Sequence, residues 1–159
     1  MWNSETYCQS VILTSKQKKQ FSTAFFELLF VTGLRYNDVG LIKPEDIKGE
    51  QLIMQPSKFN NKRTFSIHEL PKDFLYHLTY QPLALYSIPY STILRDFQRS
   101  RPCIAKLSDG KDILLHIFRH NYMKRLFREG KTNQEIATIT GEKHISSANC
   151  YIYSSIFYE

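Results

Sequence analysis

The spacing of apolar residues changes between positions 45 and 70, and no other feature of the sequence limits the fold as strongly. Before this segment, apolar side chains recur at helical spacing from Phe21 to Gly33. Within it, residues 52–54 form a short apolar run, and residues 64–67 alternate polar and apolar side chains as strands do. After it, helical spacing returns. The sequence therefore predicts an α+β fold that is mostly α-helical, a helical domain with a small two- to three-stranded antiparallel sheet.

Capping and turn residues set the predicted boundaries. Gly33 suits the left-handed position just after a helix, and Gly49 marks a turn after a first strand near 46–48. Residues 132–135 have the pattern of a capping box. We expect a leader or stub at 1–10 and an N-cap of the first helix at Thr14 or Ser15. A last helix at 149–153 is expected to be capped at Ser146 or Ser147. The other predicted helices cover residues 37–42, 72–78, 91–100, 115–129 and 132–139.

Chain length and charge limit the class of protein. At 159 residues the chain is long enough for one domain with a real core, and we expect a single domain over 1–159. Lys and Arg outnumber Asp and Glu by 21 to 15, which leaves a formal charge of +6 and favours a polyanionic partner. The cysteines form no CxxC pair, and no apolar run approaches the ~20 residues of a membrane span. We expect a soluble, cytoplasmic protein that has neither a disulfide framework nor a zinc site and binds no membrane.

The aromatic residues and the apolar C-terminal segment should also be buried against other apolar side chains. Aromatic residues make up 14% of the chain, and most phenylalanines are assigned to the core. The final segment, residues 152–158, is apolar as well, so it should dock on the chain's own core or on a neighbouring molecule. We expect the following phenylalanines to be buried: Phe21, Phe25, Phe30, Phe118 and Phe127.

Three clusters of basic or histidine residues, followed by a tyrosine, lie far apart in the sequence. They are residues 32–38 (TGLRYND), Ser57-Lys58 before the predicted hairpin turn, residues 116–120 (HIFRH) and residues 140–151 (TGEKHISSANCY). In this order and at these separations, they resemble the catalytic domain of the tyrosine recombinases, the phage-integrase family. The resemblance extends from about residue 11 to residue 153.

The first half of the chain matches two motifs of that family. Arg35 and Asp38 match TGLRxxE, with Asp in place of the usual Glu, and Lys58 matches a lysine at a β-hairpin. The resemblance implies that Arg35 is one of two arginines that clamp a DNA phosphate and that Asp38 orients it. It also implies that Lys58 is the general acid that protonates the leaving 5′ oxygen.

The second half matches two further motifs. His116, Arg119 and His120 match HxLRH, and Tyr151 ends the pattern LGHxxIxTTxxY in register with Gly141. The resemblance implies that Arg119 completes the clamp, because two guanidiniums can bind phosphate oxygens bidentately. Tyr151 would be the nucleophile, His116 would transfer a proton with it or hold the phosphate, and His120 would support the site. The 3′-phosphotyrosyl bond conserves the phosphodiester energy, so the resemblance implies no metal, ATP or other cofactor.

One position departs from the family. The residue after Gly141 is usually His or Trp, which donates a hydrogen bond to the phosphate, but here it is Glu142. A phosphate repels a carboxylate unless a cation lies between them. Three roles stay open: Glu142 pairs with Lys143 or one of the arginines, His144 replaces the missing donor, or Glu142 accepts a proton from Tyr151.

Other residues compete for these roles. Lys62 is the alternative to Lys58, and Tyr153 is the alternative to Tyr151. We expect Lys62, Arg63 and Lys143 to contact the DNA backbone or to be plain surface charges.

The resemblance implies a site-specific recombinase or integrase that cleaves and rejoins double-stranded DNA through Tyr151, as a homo-oligomer of two to four copies on DNA. In similar recombinases the C-terminal segment is passed to the adjacent protomer, and an N-terminal helical domain grips the other face of the duplex. Nothing before Thr14 can supply that domain, so we expect a catalytic fragment or a minimal form. Two alternatives remain. One is a DNA-binding accessory protein whose catalysis is impaired by Glu142, and the other is a type IB topoisomerase-like enzyme that nicks and reseals DNA.

Overall fold

The computed structural model describes residues 1–56 and 62–159, so Lys58 lies outside the described residues. The mostly helical α+β fold predicted from the sequence is confirmed. Short 3-10 helices cover Pro44–Asp46 and Ile67–Glu69. The other elements, in chain order, are α1 (Ser4–Gln17), α2 (Thr23–Thr32), α3 (Tyr36–Val39), β1 (Ile47–Lys48), β2 (Gln51–Met54), β3 (Arg63–Ser66), α4 (Lys72–Tyr80), α5 (Pro82–Tyr86), α6 (Tyr90–Ser100), β4 (Ala105–Leu107), α7 (His116–Arg128), α8 (Asn133–Thr140), α9 (Ile145–Ile152) and β5 (Ile156–Tyr158).

The first helix corrects the prediction for the N-terminus. Asn3 caps α1, because its side-chain oxygen accepts a backbone amide of the first turn. Tyr7 is fully buried, so residues 4–10, which the sequence analysis placed in a leader or stub, form part of a packed helix of this fold. The predicted N-cap at Thr14 or Ser15 is wrong, since both residues lie inside α1. The chain turns instead at Lys19, whose φ is 54°, before it enters α2.

Helices α2 and α7 pack against each other in the main apolar core. Phe26 of α2 stacks on Phe118 of α7 with ring centroids 5.9 Å apart. Two of the five phenylalanines predicted to be buried are exposed instead, Phe21 by 75% and Phe127 by 43%. Phe21 lies in the connection between α1 and α2, and Phe127 packs at the surface against the ring of Tyr153. The other three are buried or packed against the core.

The predicted hairpin is confirmed on both sides of its turn. Strand β2 pairs antiparallel with β1 and β3, which gives a three-stranded sheet in the order β1-β2-β3. Leu52 lies opposite Phe65, and Met54 lies opposite Arg63. All four side chains are buried. Because side chains alternate between the faces of a strand, Arg63 shares the inward face with these apolar residues.

A second sheet, which the sequence analysis did not predict, joins the end of the chain to the segment before α7. Strands β4 and β5 pair antiparallel, and the backbone amide of Glu159 donates to the carbonyl of Ile104 at 2.8 Å. The ring of Tyr158 packs against Tyr7 of α1 at 5.5 Å. The apolar tail therefore docks on the chain's own core, one of the two places expected for it. Its transfer to a neighbour in an oligomer stays a prediction.

The helices that follow α7 surround a second apolar cluster, which contains Ile136 and Ile152. The predicted cap of α8 is confirmed, since the hydroxyl of Thr132 accepts the amide of Glu135 at 3.1 Å. Helix α9 begins after His144 and not at the predicted serines, and α5 was not predicted. In the part of the chain that the structure describes, no helix is long and apolar enough to span a bilayer.

Candidate active site

Arg119 is held in place by α7 and by partners from two other segments. Its side chain is 1% exposed. Nη1 donates to the carbonyl of Gly33 at 2.6 Å, and Nη2 donates to the carbonyl of Thr140 at 3.0 Å. Nη2 also donates to Oε1 of Glu142 at 2.7 Å. The guanidinium therefore has a fixed position, as a preorganised anion-binding group requires.

Gly33 is required where α2 ends. Its φ of 65° lies in the left-handed region, and a Cβ there would be 2.3 Å from Cδ1 of Tyr122. Only glycine avoids both the backbone strain and this overlap. The close approach brings the end of α2 against α7, with the Gly33 carbonyl in reach of Arg119.

Arg35 reaches the same carboxylate from the start of α3. Its Nη2 donates to Oε1 of Glu142 at 2.6 Å, and its Nη1 lies 4.0 Å from Oδ2 of Asp38. The side chain of Asp38 is 3% exposed. The predicted pairing of Arg35 with Asp38 is thus present as a long ionic contact, and the shorter contact is with Glu142.

Glu142 bridges the two arginines through a single oxygen. Its side chain is 5% exposed, whereas Lys143 and His144 are exposed. Of the roles left open for Glu142, contact with an arginine is the one that the structure contains, and it involves both arginines. A buried carboxylate needs such partners, because burial of an unpaired charge is costly.

Tyr151 of α9 packs in a small cage of rings. Its ring centroid lies 4.8 Å from that of His120 and 5.9 Å from that of His116. The guanidinium carbon of Arg119 is 5.6 Å from the Tyr151 ring centroid. The rival Tyr153 is 60% exposed, and its hydroxyl accepts a hydrogen bond from Nδ2 of Asn133 at 3.2 Å.

Five of the predicted site residues line one cleft of about 760 Å³ between α3, the segment before α7, α7 and α9. They are Arg35, Asp38, His116, His120 and Tyr151. Arg119 and Glu142 join them through the contacts above, so residues from three distant motifs meet here. Among residues 1–56 and 62–159, no group of three or more His, Cys, Asp or Glu side chains is arranged to hold a metal ion.

Sequence reasoning missed the network behind Tyr151. Nδ1 of His120 lies 2.7 Å from Oγ of Ser154, and that hydroxyl donates to the carbonyl of Tyr151 at 3.0 Å. Nζ of Lys124 donates to the carbonyl of Ser154 at 2.8 Å. Burial, with nearby positive charges, lowers the pKa of His120 to about 3, so its ring is neutral near pH 7. A serine three positions after the tyrosine carries no recognisable signal by itself.

Arg63 does not lie where the sequence analysis expected it. It is 4% exposed, and its Nη2 donates to the carbonyl of Thr32 at 2.7 Å. Its guanidinium lies over the ring of Phe65, 4.8 Å from the centroid. Burial lowers its pKa to about 10, which leaves it charged near neutral pH. Its predicted place at the surface, as a DNA contact or plain charge, is wrong because strand alternation turns it inward. Lys62 and Lys143 are exposed, and their contact with DNA stays a prediction.

The fold matches solved recombinases and integrases. XerA recombinase aligns with 96% of this chain and 60% of its own at a TM-score of 0.66 and 15% identity. A lambda integrase dimer bound to a COC′ core site aligns with 95% of this chain and 58% of its own, at a TM-score of 0.66 and 18% identity. The Tn1549 transposon integrase in complex with circular intermediate DNA aligns with 92% of this chain and 59% of its own, at a TM-score of 0.54 and 13% identity.

These matches establish the fold as that of the tyrosine recombinase catalytic domain, so the resemblance predicted from the sequence is confirmed at this level. The chain spans about 60% of the length of these three solved chains. No family model and no curated protein sequence matches it.

Proposed function

We propose that this chain is the catalytic domain of a site-specific DNA recombinase or integrase that cleaves and rejoins DNA strands through Tyr151. The observation that carries the proposal is the meeting of Arg35, Arg119, the two histidines and Tyr151 at one cleft, although they come from distant segments. A fold alone does not define a function. This set of side chains has the chemistry that attack on a phosphodiester requires.

The arginines would stabilise charge on the phosphate. A phosphodiester carries one negative charge, and more charge develops on its equatorial oxygens in the transition state. Arg119 is fixed by two backbone carbonyls and Arg35 lies beside it, so their donors need little reorganisation when that charge develops. Arginine is suited to this role because it stays protonated and binds oxygens in pairs.

Tyr151 would attack the phosphorus through its phenolic oxygen. The new bond is a 3′-phosphotyrosyl linkage, and the bond that breaks releases the 5′ oxygen of the next nucleotide. That oxygen must take up a proton, and Lys58 is the proposed donor. His116, which lies in the same cleft as Tyr151, would take the phenolic proton or hold the phosphate. Rejoining runs the same steps in reverse.

The proposed partner is double-stranded DNA, bound by a homo-oligomer of two to four copies. The chain has a net charge of +6, and the lambda integrase that it resembles in fold was solved as a dimer on DNA. Binding should weaken steeply as salt rises, because neutralised phosphates release counterions. Exposed Lys62 and Lys143 are the proposed backbone contacts.

The test is covalent trapping on nicked suicide duplexes taken from the element that encodes the protein. The wild-type chain should form a DNA-linked band that Tyr151→Phe loses and Tyr153→Phe keeps. A band lost only in Tyr153→Phe would assign the nucleophile to the other tyrosine. No band from any variant, on a duplex that the chain demonstrably binds, would contradict the proposed enzyme.

A DNA-binding accessory protein with impaired catalysis is the second candidate. The observation that favours it is the carboxylate of Glu142 between the two arginines, where a phosphate oxygen would be expected. Specific DNA binding without an adduct in the wild type and in Glu142→His would support this candidate.

A further inference from the structure

The two arginines share one acceptor, and that acceptor belongs to the protein. Oε1 of Glu142 lies 2.6 Å from Nη2 of Arg35 and 2.7 Å from Nη2 of Arg119. Guanidinium groups bind carboxylate and phosphate oxygens with the same fork of donors. The carboxylate therefore occupies a position in which the arginine pair would otherwise bind a phosphate oxygen.

We propose that Glu142 is a displaceable internal anion, which holds the arginine pair in the absence of DNA and rotates away when a DNA phosphate binds. This inference rests on the proposed function for the identity of the phosphate. A carboxylate and a phosphate repel each other at such distances, so the binding of one excludes the other. The Arg119 side chain is 1% exposed, and a phosphate can reach its Nη2 only after Glu142 has moved.

The arginines keep other contacts when Glu142 leaves. Arg119 still donates to the carbonyls of Gly33 and Thr140, at 2.6 and 3.0 Å. Arg35 still lies 4.0 Å from the carboxylate of Asp38. The exchange replaces one anion by another and leaves the donors where they were.

The side chain of Glu142 can move while its backbone stays fixed. Its amide donates to the carbonyl of Ala137 at 2.8 Å, which pins the main chain to the end of α8. The connection between α8 and α9 covers only residues 141–144, and Lys143 and His144 beside Glu142 are exposed. Rotation about the side-chain bonds of Glu142 is therefore enough to vacate the site, without a change of fold.

Charge makes the exchange selective for anions. Asp38 and Glu142 offset two of the three arginines in this cluster, Arg35, Arg63 and Arg119. When Glu142 leaves, the positive charge that faces the cleft increases, and a phosphate restores the balance. A neutral side chain of the same shape at position 142 should remove the competitor and strengthen phosphate binding.

The test measures binding of inorganic phosphate and of a short DNA duplex by the full chain, with calorimetry at low ionic strength. Glu142→Gln should bind both about tenfold or more tightly than the wild type, a factor that corresponds to about 1.4 kcal/mol. Glu135→Gln is the matched control, because it removes the same charge from an exposed position on α8. This control should bind phosphate like the wild type.

Equal phosphate affinity in the wild type and Glu142→Gln would overturn the inference. A gain of the same size in Glu135→Gln would also overturn it, since net charge would then explain the effect. A gain with phosphate and none with duplex would contradict displacement by DNA. In the Glu142→Gln background, Arg35→Gln should abolish the gain, and a retained gain would show that phosphate binds elsewhere.

A second variant keeps the test decisive if Glu142→Gln does not fold. Glu142→His carries a neutral donor at the same position and should show the same gain in phosphate affinity. The adduct assay separates this inference from the proposed function. If no variant forms an adduct but Glu142→Gln binds phosphate more tightly, the recombinase fails and the displaceable anion stands.

Discussion

The arginine half and the tyrosine half of the cleft are held by different kinds of contact. In the arginine half, Arg35 and Arg119 meet Glu142 through buried ionic contacts, and backbone carbonyls hold Arg119 on two sides. In the tyrosine half, Tyr151 packs on the ring of His120, and Ser154 ties that ring to the carbonyl of Tyr151.

In the proposed reaction, this difference would serve two separate requirements of phosphoryl transfer. The groups that stabilise charge must be in place before charge develops, which favours rigid, buried cations. The proposed nucleophile Tyr151 must approach phosphorus, and its half of the cleft is held by ring contacts and hydrogen bonds, whereas buried ion pairs hold the arginine half. Loss of a buried charge also leaves its partners unpaired, so substitutions in the arginine half should cost more stability.

Arg119→Ala should have the largest effect on the stability of the fold. It leaves the carbonyls of Gly33 and Thr140 without this donor and leaves the carboxylate of Glu142 with Arg35 as its remaining arginine partner. We expect a loss of roughly 3–5 kcal/mol in the free energy of unfolding. Arg35→Ala should cost less, because the Arg35 side chain is 17% exposed and water can replace some of its contacts. Urea denaturation measures both variants. Equal losses would contradict the deeper anchoring of Arg119.

Gly33→Ala tests the junction that supports the arginine half. The substitution adds backbone strain at a φ of 65° and an overlap of the new Cβ with Tyr122, so we expect a loss of about 3 kcal/mol. Gly141→Ala is the matched control, since its φ is 75° but nothing lies within 4 Å of a Cβ there. Strain alone should cost the control about 1 kcal/mol. Comparable losses in thermal or urea unfolding would exclude the close approach of Tyr122 as the cause.

The stability of the tyrosine half should depend on pH through His120. Its pKa is about 3 in the folded chain, against about 6.5 in an unfolded one. Between these values the unfolded chain binds a proton that the folded chain does not, so stability is lost as the pH falls below about 6.5, by at most about 1.4 kcal/mol per pH unit. Unfolding measured at pH 7, 6 and 5 should show a shallower decline in His120→Asn. His68→Asn makes the same substitution at an exposed site and is the control for the change of side chain itself.

Ser154→Ala should have the smallest effect. It removes the contact with Nδ1 of His120 and the hydrogen bond to the Tyr151 carbonyl, so we expect a loss of about 1 kcal/mol in urea denaturation. Ser155→Ala changes an exposed serine next to it and should have no measurable effect. A loss in Ser154→Ala as large as that in Arg119→Ala would contradict the contrast between the two halves.

Local sequence patterns predicted much of the fold and little of the contact network. The hairpin and helices α4, α6, α7 and α8 were predictable because apolar spacing and capping residues act over a few positions. Helix α1 was missed although Tyr7 and Val11 are spaced by one turn, because its polar residues resemble a terminal stub. The pairing of β4 with β5 was missed because both strands are short and far apart in sequence.

At the candidate site too, local sequence patterns predicted the residues but not the contacts between them. The motifs identified Arg35, Arg119 and Tyr151, and the structure brings all three to one place. The bridge from Arg35 to Glu142 joins residues 107 positions apart, and no local spacing encodes it. Arg63 was misplaced because a charged residue in a short strand is usually exposed. Its contacts with the ring of Tyr122 and with the Thr32 carbonyl come from distant segments.

The most direct test of the central claim is mass spectrometry of the DNA-linked peptide after trapping and digestion. Cleavage after Lys143 releases residues 144–159, which contain Tyr151, Tyr153 and Tyr158. The proposed reaction predicts a nucleotide attached through its 3′ phosphate to Tyr151 alone. A nucleotide on Tyr153 or Tyr158, or a trapped band without any phosphotyrosyl peptide, would contradict it.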